Sequence, residues 1–512
     1  MTVTGPTATA DRRSAAVGSE IQLWRAALLL VGALTLLRLA FLLVSPLDLD
    51  VEEAQYWSWA QTPDWGYFSK PPLIAWLIGA VTSLCGNGTA CVRAASPLLH
   101  GLTALVVGAT GTALGGRRVG AWAAMLYATM PGVSFSAMLM TTDVPLLLFW
   151  SIALLALVRL RQGGGLGWAL IAGVACGLGA LSKYAMLFFL AGVALYLMLS
   201  PQGRRAIGWR AAAVMTSLAL LILLPNVLWN AARTWITVAQ TASTAGTAGR
   251  SFQLSAILEY VVGQIAIFGP APLYLMLRQG IAWRRARAEA AAPGTPLGWD
   301  DRLLLLCLSL PFFVPFLVMS MVSRANANWT AFAFIAGCVL VAGVADKGRA
   351  AWYRRAAVIS HACLGPLIYG LVWLTPHWPV VPGLPHALER MTGWQPLGGA
   401  VASEMAKDGP IRLLTNDRSL TARLLYYAHV APGNYAVWNP DGFPNSHYEL
   451  VASLKPGDRG PFLLVANSPL ADEIPQHFEQ ASPAGMVDVP LFTGAKRRFF
   501  LYRLSGFRGY GP

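Results

Sequence analysis

Charge is scarce in this chain. Only 12% of its 512 residues are Asp, Glu, Lys or Arg, while 55% are hydrophobic. A soluble globular protein carries about 25% charged residues, so that class is excluded and a polytopic membrane protein is implied. Cysteine is scarce as well. There are six, with no Cys-x-x-Cys pair and no His-Glu-x-x-His, so no dedicated zinc site is encoded. A P-loop is missing, which argues against a nucleotide-phosphate site. No repeat of fixed period is present. The N-terminus lacks a signal-peptide layout, because its first apolar run is long and no convincing cleavage site follows. A net charge of +14 points toward nucleic acid only until the basic residues are located. They cluster in short loops between apolar runs, which is a membrane-orientation signature and leaves no nucleic-acid surface.

The apolar runs are many. A spanning helix needs roughly 20 apolar residues. The first run is about 23–44, and further ones lie at about 97–115, 119–137, 144–158, 167–182, 184–199, 211–228, 256–277, 302–322, 329–345 and 356–374, roughly eleven spans. With the N-terminus placed in the cytoplasm, one side collects Arg117-Arg118, Arg159, Arg161, Arg204-Arg205, Arg284-Arg285 and Arg354-Arg355. The other side, before the tail, receives only Lys70, Arg93, Lys183, Arg233, Arg250 and Arg324. That bias puts the loop between about 45 and 96, and the tail after residue 375, on the outer face. Within the loop, Pro72–Leu84 is too short to span and suits a helix lying at the interface. Trp57, Trp59, Trp65, Tyr67 and Trp76 crowd the same loop, and interfacial anchoring accounts for most of them. Cys85 and Cys91 share it too. A disulfide between them is open if that face is oxidising.

Three domains follow: a disordered cytoplasmic N-terminus over 1–22, a transmembrane catalytic domain over 23–375, and an outer α/β domain over 376–512. In the last, Ile411–Thr415, Pro461–Val465 and Arg498–Tyr502 read as strands and Ser419–His429 as a helix.

Chemistry concentrates on the outer side. Glu52 and Glu53 stand together at the start of the first loop, and Lys70 precedes the Pro71-Pro72 turn. Asp143 opens a span, and Lys183 sits between two spans. Each has a plain structural alternative: Lys183 snorkelling to headgroups, Asp143 capping a helix, Arg93 meeting lipid phosphate. Together, acids beside cations at a membrane surface suit group transfer from a lipid phosphate. A carboxylate would deprotonate an acceptor hydroxyl, and cations would stabilise the departing phosphate.

Several segments carry a family resemblance in consistent order over about residues 20–375. They are Glu52-Glu53-Ala54-Gln55-Tyr56-Trp57, Gly66-Tyr67-Phe68-Ser69-Lys70-Pro71-Pro72-Leu73, Thr142-Asp143-Val144-Pro145-Leu146 and Leu181-Ser182-Lys183-Tyr184. Pro225-Asn226-Val227-Leu228-Trp229-Asn230, Gln264 and Asn328-Trp329-Thr330 extend the match. The chain resembles bacterial family 39 glycosyltransferases of the GT-C superfamily. Within it, the chain is similar to the lipid A aminoarabinose and rhizobial galacturonic acid transferases, relatives of the protein O-mannosyltransferases.

The resemblance implies an α-helical polytopic GT-C enzyme of the bacterial inner membrane with its active site on the periplasmic side. It would move a hexosyl or pentosyl group, with inversion, from a polyprenyl-phosphate sugar to a lipid or lipid-linked glycan. A protein acceptor, or a flippase of lipid-linked sugars, are the alternatives. The family's catalytic Asp corresponds to Glu52, with Glu53 or Asp50 as alternative bases, and Asp143 joins the catalytic set. Lys70, Lys183 and Arg93 are the implied donor-phosphate ligands, and Tyr56, Tyr67 and Asn230 the substrate contacts. No required cofactor is expected, and a divalent metal stays open without a dedicated ligand cluster in the sequence. Partners would be the polyprenyl-phosphate sugar, its acceptor and membrane lipids.

Overall fold

The computed structural model describes residues 6–245, 252–291, 295–323, 325–343, 348–378, 381–407, 409–469 and 473–511. The chain divides into two compact units. One comprises Met1–Leu42, Arg93–Trp229 and Ala242–Ile368, and the other Leu43–Val92, Asn230–Thr241 and Tyr369–Pro512. The first loop, read from sequence as part of the transmembrane domain, thus groups with the C-terminal segment.

The first unit is helical. Among the described residues, six helices are long and apolar enough to cross a membrane: Gly18–Val44, Thr89–Thr129, Asp143–Arg161, Pro201–Ala231, Trp299–Val322 and Gly348–Leu374. The expected count of eleven treated every apolar run as a straight span, and several are not. Leu254–Phe268 and Pro270–Ile281 are apolar enough together, yet they meet at 107°. Gly269 makes the bend with φ of 86°, and Pro270 opens the second helix without needing an N–H partner. Leu166–Ser182, Tyr184–Leu199 and Ala333–Ala342 are apolar but only 10–17 residues long. Ala333–Ala342 is buried on every side, so its continuous apolarity serves the protein core. The expected 97–115 and 119–137 are two arms of Thr89–Thr129 extended by Pro131–Ser136, broken at Gly115 and Gly116, where Gly116 has φ of 83°. Glycines let the arms touch. A Cβ added to Gly111 would lie 2.9 Å from the Gly120 Cα, so larger residues would force the backbones apart. The N-terminal segment expected to be disordered is helical from Pro6 onward; residues 1–5 fall outside the described residues.

The second unit contains a five-stranded sheet. Its strands are β1 (Arg412–Thr415), β2 (Tyr435–Val437), β3 (Phe462–Ala466), β4 (Phe478–Pro490) and β5 (Lys496–Phe507), in the order β2-β1-β3-β5-β4. Strands β2, β1 and β3 run parallel, and β5 and β4 are added antiparallel. The helix Arg418–Tyr427 supplies the crossover from β1 to β2 that a parallel pair requires. Central β3 is buried at every position, as expected for a strand covered on both faces. Edge strand β4 is mostly exposed and carries Pro483 beside an irregularity in its pairing. Proline is tolerated at such an edge because no ladder partner needs its N–H.

Candidate active site

In the second unit the acid pair opens the helix Val51–Ala60. Asp50 is its N-cap, and Glu52 N–H donates to Asp50 Oδ1 at 3.3 Å. Glu53 closes a capping box, its Oε2 accepting from Asp50 N–H at 2.9 Å. Asp50 is also paired with Arg390 at 3.1 Å. Two neighbouring carboxylates therefore have different environments. Glu53 is 1% exposed and engaged by its own helix end. Glu52 is half-buried, and Tyr56 O–H donates to its Oε2 at 2.8 Å. Among the described residues Glu52 Oε1 has no hydrogen-bond partner. Tyr56, one turn along and fully buried, thus orients a carboxylate that keeps one oxygen open.

The helix is fixed against the C-terminal segment. Leu49 N–H donates to the Tyr427 hydroxyl at 2.6 Å, and Trp394 N–H to Asp48 Oδ2 at 2.7 Å. Arg418 donates to Gln55 at 3.2 Å, and Ser58 and Tyr448 share a 2.8 Å hydrogen bond. Trp57 packs edge-on to Tyr426 and donates to Asn87 Oδ1 at 2.9 Å. The Tyr426 hydroxyl reaches the Asn87 carbonyl. Trp57, Trp59 and Tyr67 are therefore buried within this unit, where interfacial anchoring was expected. Trp65, by contrast, is exposed and stacks edge-on to half-buried Trp76.

Lys70 ends the next turn. Its carbonyl accepts from Tyr67 N–H at 3.2 Å, and Pro71-Pro72 lead into the helix Leu73–Cys85. The Lys70 ammonium is half-buried and, among the described residues, has neither an ion-pair nor a hydrogen-bond partner. Cys85 and Cys91 form a disulfide beyond that helix. Tyr67, expected to touch substrate, is fully buried and stacked on Trp59 at 4.4 Å, and its hydroxyl donates to the Trp59 carbonyl. Burial pushes its hydroxyl up to about 12. Its own carbonyl accepts from Thr237 at 2.7 Å, tying in the 230–241 segment. Asn230 is buried at the start of that segment, its carbonyl accepting from Trp235 N–H at 2.8 Å.

The first unit brings three other motif residues together. Asp143 sits in the first turn of Asp143–Arg161, where the helix dipole favours an anion. Lys183 lies where Leu166–Ser182 gives way to extended backbone, and its Nζ pairs with Asp143 Oδ1 at 2.7 Å. Asn328 donates to Asp143 Oδ2 at 2.8 Å. Both carboxylate oxygens are thereby satisfied. Tyr184 donates to Asn226 at 2.8 Å, and Thr330 donates to Gln264 at 2.9 Å. Arg93 is 1% exposed and engaged by neighbouring groups. Among the described residues, no three His, Cys, Asp or Glu side chains gather as a metal cluster.

Apolar helices of this number define the class as a multi-pass membrane protein, one that carries an acid-capped loop, a partner-free lysine and an Asp–Lys–Asn contact set. Comparison narrows it. The sequence profile of the dolichyl-phosphate-mannose-protein mannosyltransferase family matches residues 69–229. The lipid A galacturonosyltransferase RgtD of Rhizobium johnstonii is 32% identical over 462 residues, covering 90% of this chain and 95% of the relative. ArnT from Cupriavidus metallidurans in the apo state superposes with a TM-score of 0.60 at 15% identity, covering 96% of this chain and 98% of its own. The same protein bound to undecaprenyl phosphate gives 0.58 at 15% identity, covering 94% and 98%. The chain belongs to the GT-C superfamily of glycosyltransferases, in the family of the lipid A galacturonosyltransferase.

Proposed function

We propose that this glycosyltransferase moves a sugar from a polyprenyl-phosphate carrier to a lipid or lipid-linked glycan at the outer face of the bacterial inner membrane. The observation that carries the mechanism is the contrast between Glu52 and Glu53. Glu52 holds an oriented, half-exposed carboxylate with one open oxygen, while Glu53 serves the cap of its helix. Glu52 takes the proton of the acceptor hydroxyl as that oxygen bonds to the anomeric carbon. The bond from that carbon to the phosphate oxygen breaks, and polyprenyl phosphate leaves with the electron pair. One displacement of this kind inverts the anomeric centre.

Lys70 meets the charge that develops on the leaving phosphate. A partner-free ammonium on a turn stiffened by two prolines suits a point contact to phosphate. Lys183 acts together with Asp143, since its charge is already paired. Asn328 fixes that pair, and the three form one polar contact set. Tyr56 positions Glu52. Tyr67 shapes the loop from inside.

Undecaprenyl phosphate on ArnT supports a polyprenyl-phosphate donor as a proposal for this chain, and the name of RgtD makes a galacturonosyl group on lipid A the first pair to examine. Mass spectrometry of lipids, lipopolysaccharide and envelope proteins from cells with and without the gene tests the reading. Loss of one glycosyl increment from a lipid or lipid-linked glycan is expected. Loss confined to an envelope protein would replace the acceptor class, and no change in any fraction would remove the proposal.

A further inference from the structure

The second unit contains a cleft of about 410 Å³ that the displacement step leaves unused. One wall is the end of the acid helix and the turn after it, with Trp57, Gln61 and Asp64. The other comes from the α/β part, with Tyr435 and His447. Of its aromatic residues, Trp59, Tyr67 and Tyr448 are almost wholly buried, while Tyr435 is half-buried.

Two polar side chains on it lack protein partners. Among the described residues the Tyr435 hydroxyl has no hydrogen-bond partner, and neither ring nitrogen of His447 has one. His447 Nδ1 is fully buried, which leaves Nε2 to face the cleft. The His447 ring packs edge-on to Trp59 and Tyr67 at 5.4 and 5.2 Å, so it cannot turn without disturbing that stack. Burial holds the imidazole neutral, down to about 4, and lifts the Tyr435 hydroxyl up to about 12. Both groups therefore remain neutral hydrogen-bonding groups at physiological pH. A buried polar atom without a partner, as His447 Nδ1 is among the described residues, costs about 1–3 kcal/mol.

We propose that the cleft binds a pyranose ring of the acceptor saccharide. The inference rests on the glycolipid-acceptor reading and specifies which part of the acceptor is recognised. A sugar ring presents a C–H face to an aromatic side chain and hydroxyls to polar groups, and the half-buried Tyr435 with its hydroxyl and the exposed Gln61 and Thr62 offer both. An acyl chain would bury Tyr435 O–H and His447 Nε2 without partners. The placement relative to the base also fits. Glu52 contacts Tyr56, Tyr56 lies 5.4 Å from Trp59, and Trp59 stacks on Tyr67, which lines the cleft. Glu52 and Gln61 stand about 14 Å apart along the helix at 1.5 Å per residue, a span that a short oligosaccharide bridges.

The test measures binding without donor. The purified full chain in detergent is equilibrated with deacylated lipopolysaccharide oligosaccharide from the host strain, and bound saccharide is read by equilibrium dialysis. Saturable binding is expected for the wild type. Tyr435→Phe should weaken it about three- to tenfold, the usual worth of one hydrogen bond. Thr62→Trp, at an exposed position on the lip, should abolish it by filling the opening. Absence of saturable binding by the wild type overturns the inference, as does wild-type binding by both cleft variants. The glycolipid reading fails separately, when the wild type with donor present adds no sugar to any glycolipid.

Discussion

Replacing Glu52 by Gln should stop transfer without unfolding the chain. The substitution keeps the side-chain length, and the amide oxygen still accepts from Tyr56 O–H, so the 2.8 Å contact survives. What disappears is the ability to take a proton. Losing a general base costs about 10²–10⁴ in rate, or about 3–5 kcal/mol on the barrier at about 1.4 kcal/mol per tenfold. Glu53→Gln is the matched comparison. Glutamine at that place in a capping box still accepts from Asp50 N–H, so that contact loses about 1 kcal/mol, and transfer should fall far less than with Glu52→Gln. The assay is the initial rate of glycosyl transfer by purified variants, read beside the unfolding midpoint of each. Glu53→Gln as inactive as Glu52→Gln, with both midpoints intact, would refute the assignment. It would move the base by one residue.

Lys70→Met removes the partner-free cation and keeps the apolar stem, so KM for the polyprenyl-phosphate donor should rise while KM for the acceptor holds; equal donor dependence in mutant and wild type would contradict a phosphate role. Lys183→Met should destabilise the chain by about 1–3 kcal/mol by leaving Asp143 unpaired, and Asp143→Asn added to it should restore part of the loss, read as coupling in a double-mutant cycle of unfolding midpoints; strictly additive losses would mean that the 2.7 Å pair carries no coupling. His447 gives a pH prediction. Its folded value is depressed from 6.5 to about 4, so the unfolded chain takes the proton first, and stability is full above about 6.5 and falls as pH drops toward 4. At about 1.4 kcal/mol per unit that loss is about 3 kcal/mol, and it should be missing from the pH profile of His447→Phe.

Local motifs were legible in the sequence because their chemistry is local. The acid pair, the Lys-Pro-Pro turn and the short apolar segment after it form one continuous stretch, and the structure renders them as a capped helix, a turn and the helix Leu73–Cys85. The roles within the acid pair were not legible, because the capping box that engages Glu53 is a matter of side-chain direction. Asp143, Lys183 and Asn328 were each marked by the family pattern. Their contact joins positions 40 and 185 residues apart, which no spacing reports. Apolarity overstated the straight spans because it does not carry direction, and the Gly269-Pro270 bend lies inside a run of uniform hydropathy. Strand β4 escaped notice for the opposite reason: Pro483, small residues and exposure hide a strand that needs only one neighbour. The aromatic loop residues were assigned to the interface because their composition suits it. Burial by Tyr426, Tyr448 and His447 comes from a segment hundreds of residues away.

The donor decides the central claim. Purified wild-type chain should be incubated with lipid A and a polyprenyl-phosphate-linked galacturonic acid, and in parallel with the matching nucleotide sugar, and the lipid weighed by mass spectrometry. The account predicts one galacturonosyl increment with the polyprenyl phosphate, none with the nucleotide sugar, and none with Glu52→Gln under either condition. Transfer from the nucleotide sugar alone, or an undiminished increment with Glu52→Gln, would contradict it.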